Sequence, residues 1–222
     1  MKQMSKVAIG IVALGLMVGC EPDKITVEVP VSAIGKARNG EVVYLKARAE
    51  GVSEVTPDSI LEKKDQIQQI IVQALGEGSR VSLRKRSAGL AFTAQWKIPL
   101  FKQGHVPNAA ANYPLWLLLT KDEDQLLLIS NQSVIDAMNK KLEDVDFMFE
   151  NVSELGMTEL VFNNDSHELF SYKVYGAFVD GNAKIAWTEK VAPGTESTVA
   201  FGRKSEDSIW HEMPPAVFIP GK

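Results

Sequence analysis

Apolar and polar residues alternate along most of this chain, and a helical period interrupts the alternation twice. Ile25-Thr26-Val27-Glu28-Val29 alternates β-branched and polar side chains as a half-buried strand does, and Glu41 to Ala49 does the same behind the turn dipeptide Asn39-Gly40. These two strands are expected to meet as a hairpin. Ile60, Ile67, Ile70, Ile71, Ala74 and Leu75 then recur at helical spacing, with Asp58 or Thr56 to cap and Gly76 to stop the element, which predicts a helix over 58–75. From Arg80 to Leu100 the pattern returns to alternation. Leu90, Phe92, Ala94 and Trp96 share one face, and Ser87-Ala88-Gly89 reads as the turn between two strands.

Gly104, Pro107, Asn108, Asn112 and Pro114 make 101–114 the longest irregular stretch, and a subdomain break is expected there. Two apolar runs, Leu115 to Leu119 and Leu126 to Ile129, flank Lys121-Asp122-Glu123-Asp124 as a hairpin with a solvated tip. Val134, Ile135, Met138, Leu142 and Val145 repeat helically behind Ser133 and Asp136, a variant capping box that predicts a second helix over 133–145. Strands follow near 157–163, 169–179 and 183–191, the last two joined by Asp180-Gly181. From Ala192 onward, Pro193, Pro214, Pro215 and Pro220 predict an extended, partly irregular segment. The expected fold is α+β: antiparallel sheet(s) carrying two main helices on one face. It divides as two similar α+β subdomains, 25–103 and 104–222, or stands as a single domain over 25–222.

The N-terminal region follows another logic. Lys2 and Lys6 precede a run of 12 apolar or Gly residues, Val7 to Val18, and Leu16-Met17-Val18-Gly19-Cys20 closes it with small residues before the chain's single cysteine. The run is too short to span a bilayer, which takes about 20 apolar residues. Residues 1–20 resemble the signal peptide and lipobox of bacterial lipoproteins, although Met17 holds the place usually given to Leu and Leu16 lies one further back. The resemblance implies cleavage of residues 1–19, a thioether-linked lipid on Cys20 and an acylated amine, with 20–24 as anchor and tether. Two or three acyl chains, at about 0.8 kcal/mol per buried methylene, hold such a protein on its membrane for good. Glu21, where an aspartate would retain the protein at the inner membrane, implies the outer membrane on its periplasmic side.

Composition narrows the options. With Lys2 and Lys6 removed, 22 of the 24 basic residues remain against 28 acidic ones, a net of about −6 that speaks against a nucleic-acid partner. A lone cysteine allows no internal disulfide, no cysteine-based metal site and no thiol cofactor chemistry, so no cofactor is expected. His105, His167 and His211 are scattered, and neither a zinc-protease motif nor a Gly-x-Ser-x-Gly elbow occurs. Ser82-Leu83-Arg84-Lys85 has the letters of Ser-x-x-Lys but sits on an alternating strand. His167, within Asn163-Asn164-Asp165-Ser166-His167-Glu168, reads as part of a surface turn, and Asp122-Glu123-Asp124 as a solvated one. Trp96, Phe101, Tyr113 and Trp116 flank the irregular stretch and are expected to close the core beneath it. Asn131, Asn151 and Asn164 begin Asn-x-Ser triplets, relevant only to a eukaryotic secretory route.

One polar feature stands apart. Arg80, Ser82, Arg84 and Arg86 fall on one face of a strand with Lys85 opposite, a cationic stripe in an acidic chain. Guanidinium forks suit phosphates and carboxylates, so Arg80, Arg84 and Arg86 are candidate contacts for an anionic partner; charge that protects a strand from edge pairing is the plainer explanation. The expected function is a membrane-anchored envelope lipoprotein, more a non-enzymatic binding or accessory module than an enzyme. Its partners would be the membrane, through the lipid on Cys20, and an envelope protein, lipid head group or glycan. The alternative is an envelope hydrolase acting on peptidoglycan or another glycan through two carboxylates.

Overall fold

A computed structural model describes residues 22–53, 58–86, 89–105, 107, 112–122, 124–145, 157–201 and 216–219. The first half holds β1 (Pro22–Pro30), α1 (Val31–Arg38), β2 (Val43–Ser53), α2 (Asp58–Glu62), α3 (Lys64–Leu75), β3 (Arg80–Arg86) and β4 (Gly89–Lys102). The second holds β5 (Leu115–Leu119), β6 (Gln125–Ser130), α4 (Gln132–Val145), β7 (Met157–Asn163), β8 (Phe170–Val179), β9 (Asn182–Val191), β10 (Glu196–Phe201) and β11 (Ala216–Phe218).

Nine of these strands close into a barrel, in the order β10, β7, β1, β2, β4, β5, β6, β11, β8 and back to β10, while β3 pairs with β4 and β9 with β8 outside the ring. The expected α+β fold with two main helices is therefore incorrect: strands hold 54% of the described residues and the helices are four short ones. Nor are there two similar subdomains. Strands from the two sides of 101–114 join at two seams, β4 with β5 and β1 with β7, and these are the parallel pairings of the sheet. Lys24 of β1 bridges the second seam to Glu159 of β7 at 2.5 Å.

The misreading has a definite source. The alternation locates β1 to β9 closely, but β10 and β11 lie in the segment from Ala192 onward, expected to be extended and partly irregular, and these two strands close the ring. Without them, β7 and β6 would keep open edges and the sheet would read as open. The helices too lie near their expected places: α2 and α3 fill 58–75 with an interruption at Lys63, and α4 starts one residue early, behind Asn131, whose Oδ1 accepts from Ser133 Oγ. What changes is their role, since Ile67, Ile71, Leu75, Met138 and Leu142 are buried as lining of a strand-built core.

Inside the barrel, alternate residues of each strand meet. Leu90, Phe92, Ala94, Trp96, Ile98 and Leu100 of β4 are all buried, as are Ile25, Val27 and Val29 of β1. The first two strands do pair antiparallel, but α1 stands between them, unannounced by any helical signal in sequence. It buries Ala33, Ile34 and Ala37, and its N-cap Pro30 offers no side chain to its backbone. Asp165 supplies the bonds from a distant turn: Ser32 donates to it through backbone N at 2.8 Å and through Oγ at 2.5 Å.

β8 makes the closure possible. β9 runs along one edge of β8 from Phe170 to Val179, so the opposite edge must serve both β11, at Lys173, and β10, at Phe178 and Val179. Between these stretches lies Gly176 with φ 60°, a left-handed conformation that glycine adopts without steric cost. The buried positions shift phase there, from Phe170, Tyr172 and Val174 to Ala177 and Val179. One bent strand thus meets both ends of the ring.

Candidate anion-binding site

The cationic stripe sits where strand register brings a fourth arginine, Arg48, to it. Ser82, Arg84 and Arg86 of β3 stand opposite Thr93, Ala91 and Gly89 of β4, and Thr93 and Ala91 in turn stand opposite Glu50 and Val52 of β2. Leu83 and Phe92 point to the core, so the alternate residues Arg84, Ala91 and Val52 share the outer face. Short side chains form the floor and long cationic ones the rim. The result is an open depression of about 490 Å³ lined by Arg48, Ser82, Arg84, Lys85, Arg86, Ala91 and Thr93.

Its charges differ in how they are satisfied. Arg48 is ion-paired with Glu50 two residues along the same strand, and Lys85 lies 3.8 Å from Asp58, both of them well exposed. Arg80, Arg84 and Arg86 make neither a hydrogen bond nor an ion pair among the described residues. Side chains two apart on a strand face are about 6.6 Å apart, so these like charges repel one another until an anion comes between them. Two hydroxyls, Ser82 and Thr93, are cross-strand neighbours on the floor and add donors that accept or give as the ligand requires.

The three predicted arginines are thus held on one exposed face. Sequence reasoning missed Arg48 and Thr93, because the β2–β4–β3 register that places them is not written in any local pattern. Cys20, Asn151 and His211 lie outside the described residues. His105 is exposed and borders Gly40, where an added Cβ would come 3.5 Å from its Nε2. His167 is exposed on its turn, and Asp122 and Asp124 are exposed on theirs, with Thr120 Oγ1 donating to Asp124 at 2.9 Å; Glu123 lies outside the described residues. Ser82 and Lys85 lie on a strand, far from the helix start that Ser-x-x-Lys chemistry uses.

The turn around His167 is more than a surface feature. Asn164 is fully buried, its Nδ2 donates to the carbonyls of Glu168 and Val191, and its Oδ1 accepts from the N–H and hydroxyl of Ser166. A glycan could not be attached to an amide held in this way. Burial raises the pKa of the neighbouring Asp165, yet the two Ser32 bonds and the Lys36 charge outweigh it and leave the carboxyl below its ordinary value. Trp96 and Phe101 are buried, with Trp96 Nε1 lacking an acceptor, and Tyr113 and Trp116 are half-buried. Of the four, Trp96 joins the main core, and Tyr113 lies instead against the exposed ring of Tyr44.

Carboxylate chemistry finds no such assembly. Among the described residues no Asp or Glu is buried, and no three His, Cys, Asp or Glu side chains converge as metal ligands. Among the described residues, too, no helix is long and apolar enough to cross a membrane. No protein-family model matches the chain, and no curated protein matches it.

Proposed function

We propose that this protein is a lipid-anchored bacterial envelope lipoprotein acting as a non-enzymatic binding or accessory module, with the arginine face of β2–β4–β3 as its contact for an anionic envelope component. The observation that carries the binding role is the set of unpartnered guanidiniums, Arg80, Arg84 and Arg86, in a chain whose net charge is negative. Charges kept only to protect a strand edge would be as useful in ion pairs with the chain's abundant carboxylates. The anchor rests on Lys2, Lys6, the apolar run and Cys20.

Metabolic labelling with a fatty acid tests the anchor. Wild type should incorporate lipid and fractionate with the outer membrane, and Cys20→Ser should lose the label and accumulate uncleaved precursor. Equal labelling of the two chains would refute lipidation at Cys20, and recovery of the wild type in the inner membrane would refute the sorting.

A further inference from the structure

We infer that the arginine face docks the barrel onto the anionic phosphate head groups of the same membrane in which Cys20 is anchored, an inference that rests on the lipid-anchor reading. The argument is one of level. Pro22, the first described residue of β1, pairs with Gly51 of β2, Gly51 pairs with Phe92 of β4, and Phe92 with Leu83 of β3. The chain's way toward Cys20 and the centre of the arginine strand thus lie on one row of the sheet, three strand spacings or about 14 Å apart. Arg84, Lys85 and Arg86 continue from that row in the direction in which β1 runs back toward its start. Cys20 is two residues from Pro22, within about 7 Å along the chain.

The opposite end of the barrel is built differently. β1 ends there at Pro30 and passes directly into α1, whose start is held by Asp165. Pro22, from which the chain leads back to Cys20, therefore shares one end with Arg84 and Arg86, and the head groups of the anchoring leaflet are the phosphates closest at hand. Val52, 40% exposed beside Ala91, gives that end an apolar contact as well. Phosphates fit the donors better than isolated carboxylates do, because forks on Arg84 and Arg86 and the hydroxyls of Ser82 and Thr93 approach from several sides. With two or three acyl chains supplying the attachment, the basic patch would fix the barrel's orientation relative to the surface.

The test uses a chain begun at Glu21, which carries no lipid and keeps every described residue of the barrel. Its binding to vesicles of phosphatidylcholine alone is compared with binding to vesicles that also contain phosphatidylglycerol. Binding should require the anionic lipid and weaken with salt. Each arginine at such a surface strengthens association about fivefold, so Arg84→Gln with Arg86→Gln should weaken it roughly 25-fold. Arg84→Lys with Arg86→Lys should retain most of it, and Lys97→Gln, on β4 toward the α1 end, should change little. Equal binding to neutral vesicles, or wild-type binding by a Gln double variant that melts normally, would overturn the proposal. So would saturable binding of inorganic phosphate without preference for anionic vesicles, which would assign the face to a free phosphate. An unlabelled wild type that still binds vesicles would remove the anchor and with it the docking on the anchoring membrane; labelled protein without vesicle affinity would remove the docking alone.

Discussion

The arginine face and the seam where β8 meets β10 treat their polar groups in opposite ways. At the seam the backbone contributes little: β8 pairs with β10 at two positions and with β11 at one. Side chains fill in for it. Tyr172 OH lies 2.7 Å from Ser197 Oγ, Ser197 reaches Asp180, and Asp180 also accepts from Thr198 N–H at 2.7 Å, tying the β8–β9 turn to β10. Tyr172 is pushed well above its ordinary pKa by burial, with the charges of Asp180 and Glu189 adding to it, so it remains a neutral donor. Along β3, by contrast, backbone pairing to β4 is complete and the arginines are left over. Polar groups with partners inside the molecule hold it together, and those without are available to something outside.

Substitutions should separate these two uses, beginning with the hidden side of the arginine strand. α3 lies against β3, and Ile71→Ala, which empties a fully buried site, is expected to cost about 2–5 kcal/mol in denaturant unfolding. A change within 0.5 kcal/mol, typical of exposed positions, would mean that α3 does not back the strand. Asn164→Ala strips partners from two carbonyls and should cost about 3 kcal/mol, measured in the same way. Gly176→Val forces a β-branched residue into φ 60°, and a loss of about 1–2 kcal/mol is expected, with faster amide exchange along β10 and β11 as the ring loosens. Should exchange rise uniformly instead, β8 would not be the closing element.

β1 to β9 and the helical stretches 58–75 and 132–145 are legible in the sequence, whereas α1, β10, β11 and the closure are not. Leu90, Phe92, Ala94 and Trp96 announce β4 because alternation is a local property of a strand. Nothing local says that β1 will lie parallel to β7, or that six residues behind Gly194 will complete a ring. The candidate site divides along the same line: Arg80, Arg84 and Arg86 show themselves by spacing within one strand, and Arg48 only through the register of three.

Smaller effects sharpen the contrast. Asp165, with a folded pKa below its ordinary value, contributes stability that is fully present above the unfolded pKa and disappears as pH falls through the lower folded one. Asp165→Asn should therefore lower stability most at neutral pH and least in acid, which flattens the acid limb of a stability–pH curve. An unchanged acid limb would show that Ser32 does not depend on that charge. Smallest of all should be Arg80→Gln, Arg84→Gln and Arg86→Gln together, with thermal stability within about 0.5 kcal/mol of wild type. A large loss would mean that these guanidiniums serve the fold and would withdraw them from binding.

Because Lys24 pairs with Met157, and because Phe218 must reach both Gln125 and Lys173, the barrel cannot be completed in order of synthesis. The early strands have to wait for partners that emerge much later. Such distant pairings put folding in the millisecond-to-second range and leave strand edges unpaired meanwhile. On the export route we propose, that delay keeps the chain from locking into its final shape before its last ring strand has crossed.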